Sequence, residues 1–315
     1  MRVSVSQFGG LEQLQLEEVD LEKLSGRIRL DQIVVRVKAA GINPVETYVR
    51  AGLYDPLPSL PYTPGSDGAG EIISVGAETQ IKFLPGDRVW LSGSVSGTYA
   101  DYCVCNEEDV HVLPNALSFE QGAALGVAYR TAYRGLVVFG KAKRGESVLI
   151  HGASGGVGIA AIQIARMLGL APIIATASDT EAAEFLRTMG AHHVCRHGEW
   201  SDPVDVIFEN MANANLGKDL KILKKHARVV VVGNRGEVPI NPRDLMRAEA
   251  TVTGFVGAGS PAEKEQADAF IQAGLERGEI VPVVGVVFSL AQVQDAHAEV
   301  MSHSRGTRGK IVIVP

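Results

Sequence analysis

The sequence predicts an α/β protein in which a doubly wound parallel sheet is joined to a β-rich domain. Several stretches from residue 147 onward are uninterrupted apolar runs, which are typical of parallel strands buried on both faces. Most of these runs are followed by segments of helical period. Before residue 120, Ile33, Val35 and Val37 alternate with polar neighbours, and this alternation indicates an antiparallel sheet with one face in water.

The parallel unit begins with a strand, a glycine-rich turn and a helix. Ser147–His151, which carries three successive apolar residues, is the predicted strand, and apolar residues recur at helical spacing from Val157 until Gly169, where the helix is expected to end. Because this order aims the positive end of a helix at the turn, it predicts that the pyrophosphate of a dinucleotide binds there. A purely structural turn is the alternative.

Each residue of the turn has a separate predicted task. Gly155 and Gly156 let backbone N–H groups approach an anion, and Ser154 adds a hydroxyl donor. Gly158 removes a side chain where the helix must touch the strand.

The remaining elements complete the two predicted domains. A helical stretch opens at Ser118, with Gln121 placed to close a capping box. Further strands and helices are expected at Pro172–Thr176, Glu181–Met189, Val204–Phe208, Ala227–Val232, Thr251–Val256, Pro261–Gly278 and Leu290–His303. The last strand, KIVIVP, is expected to return to the first sheet. The predicted boundaries are 1–120, completed by 261–315, for the β-rich domain and 121–260 for the parallel unit.

Composition excludes several classes of protein. The 315 residues are 46% hydrophobic and 21% charged, which is a globular balance, and a net charge of −6 offers no attraction to nucleic acid or an anionic membrane. No apolar run approaches the ~20 residues that span a bilayer, and the N-terminus lacks a signal-peptide pattern, so a cytoplasmic location is expected. Cys103, Cys105 and Cys195 have the spacing of neither a disulfide framework nor a zinc site.

Six motifs carry a resemblance that runs nearly end to end. They are GINPVETYVRAG at 41–52, LPYTPGSDGAG at 60–70, HGASGGVG at 151–158, NANLGKDL at 213–220, VVVGNRG at 230–236 and INPRD at 240–244. With them the chain resembles the medium-chain dehydrogenase/reductase superfamily, and within it the zeta-crystallin type of NADPH:quinone oxidoreductase. The resemblance implies a Rossmann sheet inserted in a GroES-like β-rich domain, with an active cleft where the two meet.

Two positions depart from the zinc alcohol dehydrogenases of that superfamily. Asn43 stands where they carry a cysteine ligand, and Ser66 stands where they carry a histidine. Both are poor zinc ligands, so no metal is expected to acidify an alcohol. What remains is metal-free reduction of an electrophilic acceptor such as a quinone, and the resemblance suggests one-electron, semiquinone-forming behaviour. The rivals are an enone or alkenal reductase and a crystallin-like protein that binds NADPH and RNA with little turnover.

The candidate catalytic residues lie in what the sequence indicates is a loop after Ile42. Asn43 is a candidate to hydrogen-bond the nicotinamide ribose or the substrate, or else is a turn-former before Pro44. Tyr48 is a candidate to stack and donate its hydroxyl to a quinone oxygen, and Tyr54 is a weaker candidate. No indispensable acid is expected, because a reduced quinone oxygen exchanges protons with water.

The resemblance also implies a set of cofactor contacts. They are Tyr48, Thr131, Ser154, Gly155, Gly156, Val157, Ser178, Arg196, His197, Asn215, Gly233, Asn234, Arg235, Phe255 and Val256. Ser178 and His197, with Arg196 and either Arg305 or Arg308, favour the 2′-phosphate of NADPH, whereas Asp179 opposes it by repulsion. NADPH is therefore expected, with NADH as the alternative.

Two further features have competing interpretations. The link from His197 to Asp205 is short where relatives insert a helix, which is expected to leave part of the sheet exposed. The basic cluster Lys224, Lys225, His226 and Arg228 is interpreted as a solvated helix end, with an RNA-binding patch as the alternative. The resemblance also predicts a homodimer or homotetramer in which Thr251–Val256 pair across a two-fold axis.

Overall fold

The chain folds into two compact units. The computed structural model describes residues 1–19, 28–80, 83–257, 259–306 and 308–315. Unit 1 comprises Met1–Val127 and Val281–Pro315, and unit 2 comprises Ala128–Ile280. The sequence predicted that the chain returns to the first domain at residue 261, but it returns only at Val281, after one more helix. The helix Pro261–Glu276 belongs to unit 2, where the buried Arg130 guanidinium pairs with the buried Asp268 carboxylate.

Unit 1 is built on a mixed sheet of seven strands: β3 (Gln32–Ile42), β4 (Asp67–Val75), β5 (Arg88–Leu91), β6 (Tyr102–Asn106), β7 (Val110–Val112), β14 (Val284–Ser289) and β15 (Lys310–Val314). Their order in the sheet is β14-β15-β3-β4-β5-β7, with β6 also paired to β3. A small sheet pairs β1 (Arg2–Ser4) with β2 (Gln15–Glu17). The C-terminal strand β15 pairs antiparallel with β3 and parallel with β14, so its predicted return to the first sheet is confirmed.

Strand β3 differs from the prediction. Its alternating pattern predicted one wet face, but Ile33, Val34 and Val35 are all buried. The predicted alternation holds only from Val35 to Lys38, where Arg36 is exposed and Val37 is buried. The rest of β3 is buried apart from this stretch, and its edges pair with β4, β6 and β15.

Unit 2 contains the predicted parallel sheet, in the order β10-β9-β8-β11-β12-β13. The strands are β8 (Val148–Ile150), β9 (Ile173–Thr176), β10 (His193–Cys195), β11 (Val204–Glu209), β12 (Leu223–Val231) and β13 (Thr251–Gly254). All five pairings are parallel. The strand order reverses direction at β8, so the glycine-rich turn lies at the point where ligands collect in such sheets.

The helices mostly match the predicted ones. In chain order they are α1 (Pro44–Arg50), α2 (Phe119–Gly122), α3 (Gly126–Tyr133), α4 (Gly156–Met167), α5 (Thr180–Met189), α6 (Ala212–Asp219), α7 (Pro242–Ala248), α8 (Pro261–Glu276) and α9 (Val293–Ser302). The Ser118 capping box is confirmed. The long helix expected after it is instead divided into α2, α3 and a π-helical stretch, Arg134–Phe139.

Between β10 and β11 the chain forms no helix, as the short link predicted. Trp200 of that link packs against the core cluster of unit 2 that contains Leu149 and Ile207. Among the described residues, no helix has both the length and the apolar character that crossing a bilayer requires.

Candidate functional site

The glycine-rich turn of unit 2 has the geometry of an anion site. Gly155 is the N-cap of α4, and a Cβ built on it would approach only the Gly152 carbonyl oxygen, at 3.7 Å, so the space before the helix is open. The first-turn amides of a helix have no intrahelical acceptor and carry the positive end of its dipole. A Cβ on Gly158 would lie 2.5 Å from Ala153 Cα, so the helix packs closely on the glycine-rich turn, whereas the prediction placed this contact at the strand. The turn therefore fits a phosphate group without a basic side chain.

The loops that follow β11 and β12 lie against each other. A side chain at Gly233 would overlap the Asn210 carbonyl, and the Gly233 amide donates to the Glu209 carbonyl at 3.1 Å. Asn215 is buried and donates to Glu209 Oε1 (3.3 Å) and to the Met211 carbonyl (3.4 Å). The side chain of Asn215 therefore serves first to hold this loop. Asn234 and Arg235 are exposed beside it.

The region predicted to hold a 2′-phosphate is exposed and locally ordered. Asp179 is the N-cap of α5 and accepts from the Ala182 amide at 2.7 Å, and the Ser178 hydroxyl donates to its other oxygen at 2.9 Å. The carboxylate thus has two local donors in addition to its role at the helix end. His197 is exposed and its ring stacks on that of His151, with 6.1 Å between centroids. Burial, His151 and Lys218 lower the pKa of His197.

The aromatic surface near β13 is ordered by a guanidinium group. Phe255 stacks on Phe139, with centroids 4.7 Å apart, and the Arg134 guanidinium lies 4.7 Å from the Phe255 centroid. Val256 is 84% exposed. Thr131 is half-buried on α3. These residues therefore offer an accessible, mainly apolar surface of unit 2.

In unit 1 the candidate catalytic residues are on a helix rather than in a loop. Asn43 is the N-cap of α1, Pro44 is its first residue, and Glu46 completes a capping box. The Asn-Pro pair was interpreted as a turn, but proline is equally suited to the first turn of a helix. Tyr48, on α1, and Tyr54, after it, are both half-buried, and no described residue is a hydrogen-bond partner of the Tyr48 hydroxyl.

Asn43 belongs to a buried polar group that we call the lysine cluster: Asn43, Glu46, Asp67, Tyr99 and Lys310. The Asn43 amide nitrogen donates to Asp67 (3.0 Å) and Glu46 (3.2 Å), and its oxygen accepts from the Lys310 ammonium. Asn43 is only 3% exposed. Its polar atoms are thus used within unit 1, and the geometry supports a positioning role for Asn43 rather than the predicted contact with a ribose or substrate.

Charges in the lysine cluster are compensated within it. The Lys310 ammonium lies 2.7 Å from Asp67, which also accepts from the Val127 amide. Glu46 accepts from the Asn43 amide (2.6 Å), the Ser66 amide (3.3 Å) and the Tyr99 hydroxyl (2.7 Å). Burial, followed by the nearby Asp67, raises the pKa of Glu46.

These residues do not form a zinc donor set. Asn43 and Ser66 replace the expected ligands, and the Lys310 ammonium is bound to the oxygen of Asn43. A fixed ammonium repels a divalent cation, and amide and hydroxyl oxygens are weak zinc ligands.

Unit 2 has a second buried polar group, the histidine cluster: His151, Glu209 and Asp219. His151 Nε2 lies 2.9 Å from Asp219 and 3.7 Å from Glu209, and all three residues are at most 3% exposed. Burial lowers the pKa of His151, and burial together with Asp219 raises the pKa of Glu209 to about 8.

Sequence reasoning missed both clusters, although each has a signal. Glu46 follows Asn43 by three residues, which is the spacing of a capping box. His151 and Glu209 each end a buried strand, and the carboxyl ends of parallel strands meet at one edge of the sheet. Lys310 and Asp219 have no comparable local signal, because only the fold brings them to these places.

The other candidate residues have local partners. Lys224 to Arg228 lie on β12, not at a helix end; Lys224 pairs with Asp205, Lys225 with Glu249 and Arg228 with Glu146. The Arg305 guanidinium covers Phe288 at 4.8 Å.

Two of the three cysteines lie close together on one strand. Cys103 and Cys105 are buried on the same face of β6, with sulfur atoms 3.7 Å apart.

Comparison with known proteins identifies the family. The family model for the "Alcohol dehydrogenase GroES-like domain" matches residues 29–115, and the one for "Zinc-binding dehydrogenase" matches residues 156–273. The human quinone oxidoreductase is 44% identical over 99% of this chain and 97% of its own length, and the mouse protein is 42% identical over the same shares. The solved structure of Escherichia coli quinone oxidoreductase in complex with NADPH is 29% identical and superposes with a TM-score of 0.82 over 100% of this chain and 99% of that one. The chain therefore belongs to the zeta-crystallin-type quinone oxidoreductases of the medium-chain dehydrogenase/reductase superfamily.

Proposed function

We propose that this protein is an enzyme that uses NADPH to reduce quinones without a catalytic zinc ion. The observation that carries the proposal is the 44% identity to a quinone oxidoreductase over nearly the whole of both chains. Two features agree with it. The glycine-rich turn is open, and the Lys310 ammonium binds the oxygen of Asn43, the residue that stands in place of a zinc ligand.

The residues of unit 2 are suited to hold the cofactor. The amides at the start of α4, with the Ser154 hydroxyl, bind the pyrophosphate, and the loops at Asn215 and Gly233 shape the edge of the sheet beside it. When bound, NADPH supplies the reducing electrons. The protein's own contribution is to orient the cofactor and exclude competing contacts.

The residue of unit 1 that we assign to the acceptor is Tyr48. Its hydroxyl has no hydrogen-bond partner among the described residues, so it is available to donate to a quinone oxygen as negative charge develops there. Asn43 and Glu46 act on Tyr48 indirectly, since together they cap the helix that carries it. Tyr54 is retained as a secondary candidate, and the one-electron course implied by the resemblance stays a prediction.

A direct test follows NADPH and NADH oxidation by absorbance, with and without 9,10-phenanthrenequinone. We expect quinone-dependent oxidation, and a loss of about tenfold or more in kcat for Tyr48→Phe, because one hydrogen bond to a developing oxyanion is removed. Tyr54→Phe tests the secondary candidate and is expected to change kcat much less; a larger loss there than in Tyr48→Phe would move the assignment to Tyr54. Absence of quinone-dependent oxidation with either cofactor would refute the proposal. Turnover of an alkenal without turnover of ortho-quinones would instead favour a double-bond reductase.

We also propose NADPH rather than NADH as the preferred cofactor. Asp179 is the feature opposed to a 2′-phosphate, but its carboxylate already accepts from Ser178 and the Ala182 amide. Asp179→Asn keeps a capping oxygen and removes the charge. We expect it to tighten NADPH binding about threefold to tenfold, since repulsion of the extra phosphate is removed, and not to tighten NADH binding, since a carboxylate here accepts from the ribose 2′-hydroxyl of NADH. Equal effects on both cofactors, measured by quenching of protein fluorescence, would show that Asp179 does not face that phosphate.

An oligomer formed through β13 is a further part of the proposal. In the sheet of unit 2, β13 pairs only with β12, so its other edge is free among the described residues. An unprotected edge favours pairing with a second copy. Light scattering tests it, and a strictly monomeric protein would exclude it.

A further inference from the structure

The histidine cluster has a charge problem that its described neighbours leave unsolved. Glu209 and Asp219 are fully buried carboxyl groups, and Glu209 Oε2 and Asp219 Oδ2 have no hydrogen-bond donor among the described residues. His151 is the third member. One of its ring nitrogens and one carboxylate oxygen from each of Glu209 and Asp219 lie within 4.8 Å of one another. Two carboxylates this close in a dry site cannot both be ionised unless a positive charge lies with them.

Among the described residues, no lysine or arginine forms an ion pair with Glu209 or Asp219, although the charge of Lys218 acts on Asp219 from a greater distance. From β8, His151 contributes an imidazole whose pKa is lowered by burial, so it is neutral. From α6, Lys218 lies on the rim of a cavity of about 30 Å³ that the cluster shares with Thr176. From the segment after β10, His197 stacks on His151, and its pKa is also lowered. Lys218, which lines the cavity, would repel a metal ion bound there.

A bound proton solves the problem with the atoms present. One oxygen of Glu209 and one of Asp219 lie within 4.8 Å of each other, and a proton on either carboxyl group gives it a donor that the other can accept. Glu209 Oε1 already accepts from the Met211 amide and from Asn215. Asp219 accepts from His151 Nε2 at 2.9 Å. A proton on Glu209 therefore completes the cluster, while Asp219 stays ionised.

The cluster lies directly behind the loops to which we assign the cofactor. His151 is the residue before Gly152, where the glycine-rich turn begins, and the Asn210 side chain donates to its carbonyl at 2.8 Å. Glu209 holds the Met211 amide and Asn215 through one oxygen and the Gly233 amide through its carbonyl. A change of charge at Glu209 thus acts on the loops after β8, β11 and β12 together.

We propose that Glu209 and Asp219 share one proton at neutral pH, and that its loss in alkaline solution places a second negative charge beneath the cofactor loops and weakens NADPH binding. Both residues are then positioning residues, and the inference rests on the proposed function for its effect on NADPH. The raised pKa of Glu209, about 8, places the change just above neutrality.

The first measurement is infrared spectroscopy of the protein without cofactor across a pH titration. We expect a band of a protonated carboxyl that disappears as pH rises through about 8. It is expected to be absent in Glu209→Gln, which replaces the neutral acid with a neutral amide of the same shape. This readout does not depend on NADPH, so it stands or falls separately from the proposed function.

The second measurement is the dissociation constant of NADPH, by fluorescence, between about pH 7 and about pH 9.5, where the phosphate groups of the cofactor no longer titrate. We expect it to rise about threefold or more in the wild type and to stay level in Glu209→Gln, because repulsion by one charge is removed. Lys218→Gln is the control for titration of that lysine and is expected to retain the rise. If NADPH fails to bind at any pH, the proposed function is wrong while the infrared band still tests the shared proton.

Three results would overturn the inference. One is the absence of a protonated-carboxyl band in the wild type. Another is a pH dependence of NADPH binding that persists in Glu209→Gln and disappears in Lys218→Gln. The third is a stoichiometric divalent ion in the purified protein that is removed by a chelator and is missing from Glu209→Gln, since a metal would then neutralise the cluster.

Discussion

The two buried clusters contain the same number of carboxyl groups and neutralise them in opposite ways. In unit 1, Glu46 and Asp67 are held by the Lys310 ammonium and by donors from the amides and from Tyr99. In unit 2, Glu209 and Asp219 have a neutral imidazole beside them, and no described lysine or arginine forms an ion pair with either. A fixed cation makes the first cluster a permanent structural element, whereas the second depends on a proton and therefore on pH. Burial alone does not decide what a carboxyl group does; the charge beside it does.

The largest expected effect comes from removing the cation of the lysine cluster. Lys310→Met keeps most of the side-chain volume but leaves the buried Asp67 without its partner, and we expect unfolding in urea to show a loss of about 3–5 kcal/mol. Lys38→Met is the matched control, because Lys38 pairs with Glu71 at 3.3 Å while 37% exposed, and it is expected to cost at most about 1 kcal/mol. Similar losses for both variants would contradict the central role of Lys310.

A smaller effect separates the glutamates of the two clusters. In Glu46→Gln an amide NH₂ group replaces an oxygen that accepts hydrogen bonds from the Asn43 amide and the Tyr99 hydroxyl. Because donors then face donors, we expect the free energy of unfolding to fall by about 1–3 kcal/mol near pH 7. Glu209→Gln is expected to cost less, because the glutamate is already neutral there. The folded protein binds the Glu209 proton more tightly than the unfolded chain, so wild-type stability falls as pH rises from about 4.5 to about 8, and the variant lacks that fall. Urea denaturation at several pH values measures both effects, and equal losses for the two variants would remove the distinction.

The smallest expected effect concerns a buried histidine that lies beside a cation. His297 Nδ1 lies 3.2 Å from the Arg50 guanidinium, and burial together with Arg50 lowers the pKa of His297 to about 3. In the unfolded chain this histidine takes up a proton near pH 6.5, whereas in the folded protein it stays neutral down to about pH 3. The contribution of the neutral histidine to stability is therefore present above pH 6.5 and is lost as pH falls toward 3. His297→Gln keeps an acceptor for Arg50 and is expected to reduce the acid loss by about 1 kcal/mol near pH 5.5. An unchanged slope of stability against pH would show that other groups dominate acid unfolding.

Local pattern was sufficient for much of the parallel unit. The strand at Val148–Ile150, the glycine-rich turn and the following helix were predicted from apolar period and glycine placement alone, since these depend on neighbours in sequence. The Ser118 capping box and the C-terminal strand were predicted in the same way. The bounds of α2 and α3 were not, because no proline marks the break between Gly122 and Gly126 in the sequence.

By itself the sequence predicted the family, through motifs along the chain, and most of the elements, through local pattern. The departure from zinc ligands at Asn43 and Ser66 followed from that resemblance. Only the tertiary structure decided that Lys310 meets Asn43, and that Asp219 meets Glu209 and His151. The first pair is 267 residues apart, and the second cluster spans β8, β11 and α6. The charge beside a buried group comes from distant parts of the chain, and so its chemistry appears only when the fold brings those parts together.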